Sequence, residues 1–239
     1  MKKENIPIEV INLLTEKEIL IFKELQLIIN ELNQKTNLTR LIENEDYWIS
    51  QVYDSIWPFK INSKDNFDNK RFIDIGSGYG FPGFGYAITH PNSEIYLVDS
   101  SQKKIDCLKT IVNNINFKNK FFIINDRIEN FSRKSLFKNS FDIATARALS
   151  KPSTVAEYII PTLNQKGHGL IYCGKWNEED QNKLEKTLDI LEGELVEIKQ
   201  NSLPKKRGTR TAIFIQPKGI CPKAYPRGIG KAEKYPIAD

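Results

Sequence analysis

The sequence predicts an α/β fold with an open, doubly wound and mostly parallel sheet of the Rossmann-like type. Short apolar runs alternate with amphipathic stretches from residue 71 onward, and a glycine-rich segment follows the first apolar run directly. Such alternation joins strands through right-handed helical crossovers, so that neighbouring strands run parallel. The seven candidate strands are Arg71–Ile75, Glu94–Val98, Lys120–Ile124, Phe141–Ala146, Gly169–Cys173, Glu194–Lys199 and Thr209–Ile215.

The last two candidate strands leave no room for a helix between them. Residues 200–208 include Pro204 and Gly208 together with three consecutive basic residues, a composition typical of a loop. We therefore expect these strands to form an antiparallel pair, so that the sheet ends in an antiparallel strand at a mixed edge.

The segment before the first strand is predicted to be helical. Thr15 and Glu18 have the spacing of a capping box, and apolar residues follow at helical spacing. A second helical stretch runs from Glu43 to Trp57 and is expected to end at Pro58, before a polar linker at 62–70. We predict three parts: an N-terminal helical extension at 1–66, the α/β domain at 67–216 and a basic C-terminal tail at 217–239.

Positive charge is concentrated at the C-terminal end of the chain. Residues 199–239 hold ten Lys and Arg against two acidic residues, a net +8, whereas the whole chain carries +5 and the first 198 residues therefore −3. A basic surface of this kind suits contact with nucleic-acid phosphates. A solvated basic tail is the alternative that charge alone leaves open.

Composition excludes several other classes of protein. Three scattered cysteines without a Cys-x-x-Cys pair and only two histidines support neither a disulfide framework nor a metal site. No apolar run approaches the ~18 residues that a membrane span needs, so we expect a cytoplasmic protein with no membrane contact.

The glycine-rich loop predicts an adenosine-type cofactor. It reads Asp74-Ile75-Gly76-Ser77-Gly78-Tyr79-Gly80-Phe81-Pro82-Gly83, and ligands of doubly wound sheets bind at this edge. Asp99 directly follows the second strand, where its carboxylate can accept hydrogen bonds from ribose hydroxyls.

Two cofactors compete for this loop. Residues 78–83 satisfy the Gly-x-Gly-x-x-Gly dinucleotide fingerprint in a formal sense. However, the acid at Asp74 suits a cofactor with a cationic amino group and no pyrophosphate. We therefore favour S-adenosylmethionine over a nicotinamide dinucleotide.

Two further segments belong to the predicted site. After the third strand, Ile128 could pack on an adenine ring while Glu129 or nearby backbone meets its amine, although a helix cap at Asp126 is an equal alternative. After the fourth strand, Arg147 offers a planar fork for a guanine edge, a phosphate or the cofactor carboxylate. No general base is assigned. A ring nitrogen such as guanine N7 already has a free lone pair, so the transfer of a methyl group to it needs only correct positioning.

Several short motifs are shared with a known family. They are the glycine loop together with Asn37-Leu38-Thr39, Asp54-Ser55-Ile56, Asp99-Ser100, Arg127-Ile128-Glu129, Ala146-Arg147-Ala148 and residues 225–231. Through these motifs nearly the whole chain resembles the bacterial small-subunit ribosomal RNA guanine-N7 methyltransferases called RsmG or GidB. Many members carry Arg-His where this chain has Ser50-Gln51.

The resemblance implies methylation at N7 of one guanine in 16S ribosomal RNA of the small subunit. It places S-adenosylmethionine against Gly76, Phe81, Asp99, Ser100, Ser101, Ile128, Glu129 and Arg147, to which the loop adds Asp74 and Gly78. Lys175, Arg210 and Arg227 are the candidate RNA contacts. A small-molecule methyltransferase and a non-catalytic RNA-binding module with a vestigial cofactor fold remain as alternatives.

Overall fold

The computed structural model describes residues 6–36, 44–61 and 67–238. Asn37-Leu38-Thr39 and most of the predicted linker lie outside the described residues. Seven strands form one sheet in the order β3-β2-β1-β4-β5-β7-β6. Their bounds are β1 Arg71–Ile75, β2 Glu94–Asp99, β3 Lys120–Asn125, β4 Phe141–Arg147, β5 Leu163–Cys173, β6 Gly193–Ser202 and β7 Thr209–Pro217.

The predicted doubly wound sheet is confirmed. Strands β1 to β5 pair in parallel, and β7 is antiparallel to both β5 and β6. The predicted position of the antiparallel strand is wrong in one respect: β7 lies inside the sheet and β6 forms the edge. Burial explains this order, because residues 211–215 of β7 are all buried whereas most of β6 is at least partly exposed.

The helices cover both faces of the sheet. Their bounds are α1 Ile8–Ile11, α2 Glu16–Thr36, α3 Asn44–Asp46, α4 Asp54–Lys60, α5 Gly83–Thr89, α6 Gln102–Asn114, α7 Ile128–Phe131, α8 Pro152–Ile159, α9 Glu178–Ile190 and α10 Lys231–Lys234. The capping box at α2 is confirmed, because Glu18 Oε2 accepts from Thr15 N at 2.6 Å and Thr15 Oγ1 accepts from Glu18 N at 3.3 Å. No helix in the described residues is both long enough and apolar enough to span a membrane.

The second N-terminal helix does not end at Pro58. A π-helical segment, Tyr47–Tyr53, joins α3 to α4, and α4 continues through the proline to Lys60. Proline removes one backbone hydrogen bond. The helix nevertheless continues because Trp57 and Phe59 on either side of Pro58 are both buried against the core.

Two apolar clusters lie on opposite sides of the sheet. One includes Trp48 and Ile56 of the N-terminal helices together with Phe72 and Leu97 of the sheet. The other surrounds α8 and α9. Because the N-terminal helices share a core with the strands, they contribute residues to the edge where the loops after β1, β2 and β4 meet. The predicted division of the chain into residues 1–66, 67–216 and 217–239 is not tested by this packing and stays a prediction.

The C-terminal segment folds back onto the domain and is not a free solvated tail. Cys221 and Ala232 are buried, and Pro226 O accepts two bonds from the Arg133 guanidinium at 3.0 and 2.8 Å. Two basic residues of this segment also help to hold the fold together, because Lys218 pairs with Asp189 and Arg227 pairs with Glu157.

Candidate active site

The glycine loop after β1 has a backbone that only glycine adopts easily. Gly76 and Gly80 have φ values of +70° and +98°, in the left-handed region. A Cβ at Gly80 would lie 2.0 Å from the Phe84 ring. Gly76 N and Ser77 N both donate to Val98 O, at 2.9 and 3.0 Å, so the loop is tied to the end of β2.

Asp74 fixes this loop from behind. Its carboxylate is fully buried, and Oδ2 accepts from Gly83 N at 3.1 Å while Oδ1 accepts from the Thr145 hydroxyl at 3.0 Å. Burial raises the pKa of Asp74 to about 7, against the lowering by these two hydrogen bonds and by the charge of Arg147. Its side chain therefore shapes the site indirectly, by holding the loop against β4. Asp74 lines none of the three cavities described below, so its predicted direct contact with the cofactor stays a prediction.

Asp99 lies at the end of β2 and is held by three donors. Oδ2 accepts from Gly78 N at 2.9 Å and lies 3.4 Å from Lys104 Nζ, and Oδ1 accepts from Ser101 N at 2.9 Å. A carboxylate oxygen has two lone pairs. Oδ1 therefore retains capacity for a hydroxyl donor.

Three cavities adjoin along this edge of the sheet. The central cavity, about 210 Å³, is lined by Ile29, Tyr47, Gln51, Gly76, Ser77, Gly78, Tyr79, Phe81, Lys104, Arg147 and Ala148. The β3-side cavity, about 160 Å³, is lined by Ile75, Gly76, Val98, Asp99, Ser100, Lys104, Asp126, Arg127, Ile128, Ala148, Leu149, Tyr158 and Glu233. The β5-side cavity, about 430 Å³, is lined by Ser50, Gln51, Asp54, Arg147, Ala148, Ser150, Tyr172, Cys173, Gly174 and Arg210.

The β3-side cavity has the character expected for an adenosine. Ile128 supplies an apolar wall, and Asp99 and Ser100 line the cavity at the C-terminal end of β2. Tyr158 Oη is buried and has no hydrogen-bond partner among the described residues. A buried hydroxyl without a partner is costly, so a ligand with a polar group would complete this wall.

Glu129 has a different position from the predicted one. Its side chain is 1% exposed, pairs with Arg127 at 3.0 Å and accepts from Gly230 N at 3.0 Å. These partners hold its pKa below the usual value despite burial. Glu129 therefore anchors the C-terminal segment and is absent from the cavity lining, whereas Glu233 of that segment lines the β3-side cavity.

Arg147 lies between the central and β5-side cavities and lines both. Its guanidinium donates to Ser50 O at 3.1 Å, to the Gln51 side-chain oxygen, and to Asp54 Oδ2 at 3.4 Å. Ser50 and Gln51 thus help to hold the Arg147 guanidinium in place. A planar fork with three acceptors has a fixed orientation.

The three predicted RNA contacts have different surroundings. Arg210 lines the β5-side cavity and contacts Asp54 Oδ2 at 3.4 Å. Lys175 is exposed, one residue beyond the lining residue Gly174. Arg227 makes four bonds to the buried Glu157 carboxylate, the shortest at 2.7 Å. Arg227 is therefore already paired within the fold.

Some lining residues were not among the predicted site residues. In the sequence, Asp54 and Gln51 stand out only as parts of short motifs, and Lys104, Tyr158 and Glu233 belong to no recognisable motif. The sequence could have indicated Lys104, because it lies in the first turn of α6, five residues after Asp99. No sequence signal connects Glu233 to β2, which lies more than 130 residues earlier.

The chain is similar to several known proteins. Among solved structures, a SAM dependent methyltransferase from Aquifex aeolicus aligns with 62% of this chain and 82% of that chain at 13% identity, with a TM-score of 0.47. The family model of rRNA small subunit methyltransferase G, GidB, matches residues 18–209. The protein named Ribosomal RNA small subunit methyltransferase G from Prochlorococcus marinus subsp. pastoris is 67% identical over 237 residues, 99% of each chain. Another Prochlorococcus marinus relative of that name is 41% identical over 93% of this chain and 90% of its own length. The chain belongs to the rRNA small subunit methyltransferase G family.

Proposed function

We propose that this protein methylates N7 of a guanine in the 16S ribosomal RNA of the small subunit, with S-adenosylmethionine as methyl donor. Family membership over nearly the whole chain supports the methyltransferase activity and the RNA class. The position of Arg147 between two cavities is the observation that supports guanine as the acceptor. Its side chain has only donors, which suit the acceptor edge of guanine, and it lies where cofactor and base would meet.

The residues of the central and β3-side cavities fit this cofactor. The free lone pair of Asp99 Oδ1 suits a ribose hydroxyl, and the unpartnered Tyr158 Oη together with Ile128 suits an adenine ring. Gly76 and Gly78 line the central cavity without side chains, which leaves room for the methionine part. When bound, S-adenosylmethionine supplies a methyl group on a positively charged sulfur.

Among the described residues that line the β5-side cavity, none offers the thiolate that carbon methylation of a pyrimidine needs. Cys173 lines the β5-side cavity, but burial raises the pKa of its thiol to about 11. The thiol is therefore protonated at neutral pH, and a thiolate is the reactive form. Methylation at a ring nitrogen requires no covalent step and only a correctly placed base.

The chain's own residues then bind and orient the RNA. Arg147 holds the base at the junction of the cavities, and Arg210 and Lys175 contact neighbouring phosphates around the β5-side cavity. Arg227, predicted from sequence as a further contact, is left out of this set because Glu157 occupies its guanidinium. The cytoplasmic location predicted from the sequence is part of the proposal, since the ribosomal substrate resides there.

The test is methyl transfer from labelled S-adenosylmethionine to 30S particles lacking the modification, and to the naked RNA, followed by nuclease mapping. We expect label at N7 of a single guanine. Particles that already carry the modification are the matched control and should accept no label. Label on a carbon, on an exocyclic amine or on a small molecule only would reject the proposal.

A further inference from the structure

We propose that Asp54 is the residue that selects guanine, by accepting the N1–H and 2-amino hydrogens of the target base in the β5-side cavity. This inference rests on the proposed function and deepens it. It names the acceptor for the N1–H and 2-amino edge of the base, a role that the donor-only Arg147 cannot fill.

The first observation is a buried, unsatisfied carboxylate oxygen on Asp54, a residue that lines the cavity. The Asp54 side chain is 5% exposed and lines the β5-side cavity. Its Oδ2 is shared between Arg147 and Arg210 at 3.4 Å each, whereas Oδ1 is buried without a hydrogen-bond partner among the described residues. Such an oxygen costs free energy unless a donor reaches it. A ligand with N–H groups would supply that donor.

The second observation is the size and position of the cavity. Its volume of about 430 Å³ lies within the range of small-ligand sites, roughly 300–1,000 Å³. Asp54 lines this cavity and is absent from the lining of the central cavity, whereas Arg147 lines both. Asp54 therefore belongs to the side of the β5-side cavity that faces away from the glycine loop.

Guanine matches this arrangement edge by edge. Its N1–H and 2-amino groups are adjacent donors on one edge, and its N7 and O6 are acceptors on the other. With the donor edge on Asp54, the acceptor edge faces Arg147 and the central cavity. A guanidinium donor suits O6, and N7 keeps its lone pair for the methyl group.

Other occupants fit Asp54 less well. A phosphate on Arg210 has no N–H group to offer, so it would leave Asp54 Oδ1 without a donor. Adenine presents an acceptor at N1, where guanine presents a donor, and would place a lone pair against the buried oxygen. A site built to accept a substrate N–H rejects analogues that lack it.

The test compares small-subunit RNA carrying guanosine or inosine at the target position. Inosine keeps N1–H, O6 and N7 and lacks only the 2-amino group. For the unchanged protein we expect kcat/KM to fall about 10-fold to 100-fold with inosine, the cost of one hydrogen bond to a charged acceptor. For Asp54→Asn we expect this ratio to shrink below about threefold, because Arg147 and Arg210 hold the amide oxygen and leave its NH2 group facing the donor edge of the base.

A matched control is Asp46→Asn, which also removes an aspartate paired with an arginine, Arg207, but lines none of the three cavities. It should keep the full guanosine preference. Cofactor affinity within about threefold of the unchanged protein shows that a variant is folded.

Either of two results overturns the inference. One is an equal kcat/KM of the unchanged protein for both RNAs, which needs no variant. The other is an inosine penalty that persists in Asp54→Asn. Absence of N7 methylation on the guanosine RNA itself would instead reject the proposed function, so the two failures are distinct.

Discussion

The site has a cofactor half, formed by the central and β3-side cavities, and an acceptor half, formed by the β5-side cavity. The two halves differ in how far apart along the chain their contacting residues lie. In the cofactor half, Asp99 bonds to Gly78, 21 residues away, and Asp74 bonds to Gly83, 9 residues away, with one longer link from Asp74 to Thr145 across 71 residues. In the acceptor half, Asp54 meets Arg147 across 93 residues and Arg210 across 156. Short contacts leave a readable motif, whereas distant ones are created by packing the N-terminal helices on the sheet.

This difference predicts that the two halves respond separately to substitution. Changes in the glycine loop should alter stability and cofactor affinity. Changes around Asp54 and Arg210 should alter RNA recognition and leave cofactor affinity nearly unchanged.

The largest expected effect concerns Asp74, which joins the loop to β4. Its pKa is raised from 3.8 to about 7, so the folded state holds this proton more tightly than the unfolded chain does. Stability from this group is fully present below about pH 4 and is lost as pH rises through about 7. The free energy of unfolding, relative to Asp74→Asn, should fall by about 4 kcal/mol from pH 4 to pH 8. Denaturant titrations across that range measure it, and a constant difference would contradict the assignment.

A second prediction concerns the loop backbone in the cofactor half. Gly80→Ala places a methyl group 2.0 Å from the Phe84 ring at a φ of +98°. Strain and overpacking should lower the free energy of unfolding by about 3 kcal/mol and weaken cofactor binding at least ~10-fold. Gly174→Ala is the control, because no atom lies within 4 Å of its added Cβ, and it should stay within about 0.5 kcal/mol. Equal unfolding midpoints for the two variants would contradict the strain argument.

A third prediction separates the halves directly. In Asp99→Asn the amide nitrogen faces Gly78 N–H or Ser101 N–H, so calorimetry should show cofactor Kd about 10-fold to 100-fold higher. In Arg210→Gln the RNA KM should rise several-fold while cofactor Kd stays within about twofold. The comparison fails if each variant changes both constants to the same degree.

The smallest expected effect belongs to Lys175 on the rim of the acceptor half. A lysine that contacts one phosphate contributes about 1 to the slope of log Kd against log salt concentration. Lys175→Ala should lower this slope by about 1 when RNA binding is followed by fluorescence anisotropy. Lys186→Ala, an exposed lysine of α9 that lines none of the three cavities, should leave the slope unchanged.

Local patterns determined the strands, the capping box of α2 and most of the cofactor half. Strand periodicity, the glycines after β1 and the acid at the end of β2 are properties of short segments, so the sequence predicted them. The structure has Gly76 and Gly78 directly after β1, and it includes Asp99 as the last residue of β2. The expected end at Pro58 was wrong because tertiary burial of Trp57 and Phe59 outweighs one lost hydrogen bond.

Only the tertiary structure decided where charges find their partners. Arg227 looked available for RNA, but folding of the C-terminal segment brings it against the buried Glu157, 70 residues away. Glu129 looked like an adenine contact, but Arg127 and Gly230 occupy its carboxylate. Asp54 gained its place opposite Arg147 and Arg210 by the same long-range packing. A sequence states which charges exist, whereas burial makes their pairing obligatory and the fold selects each partner.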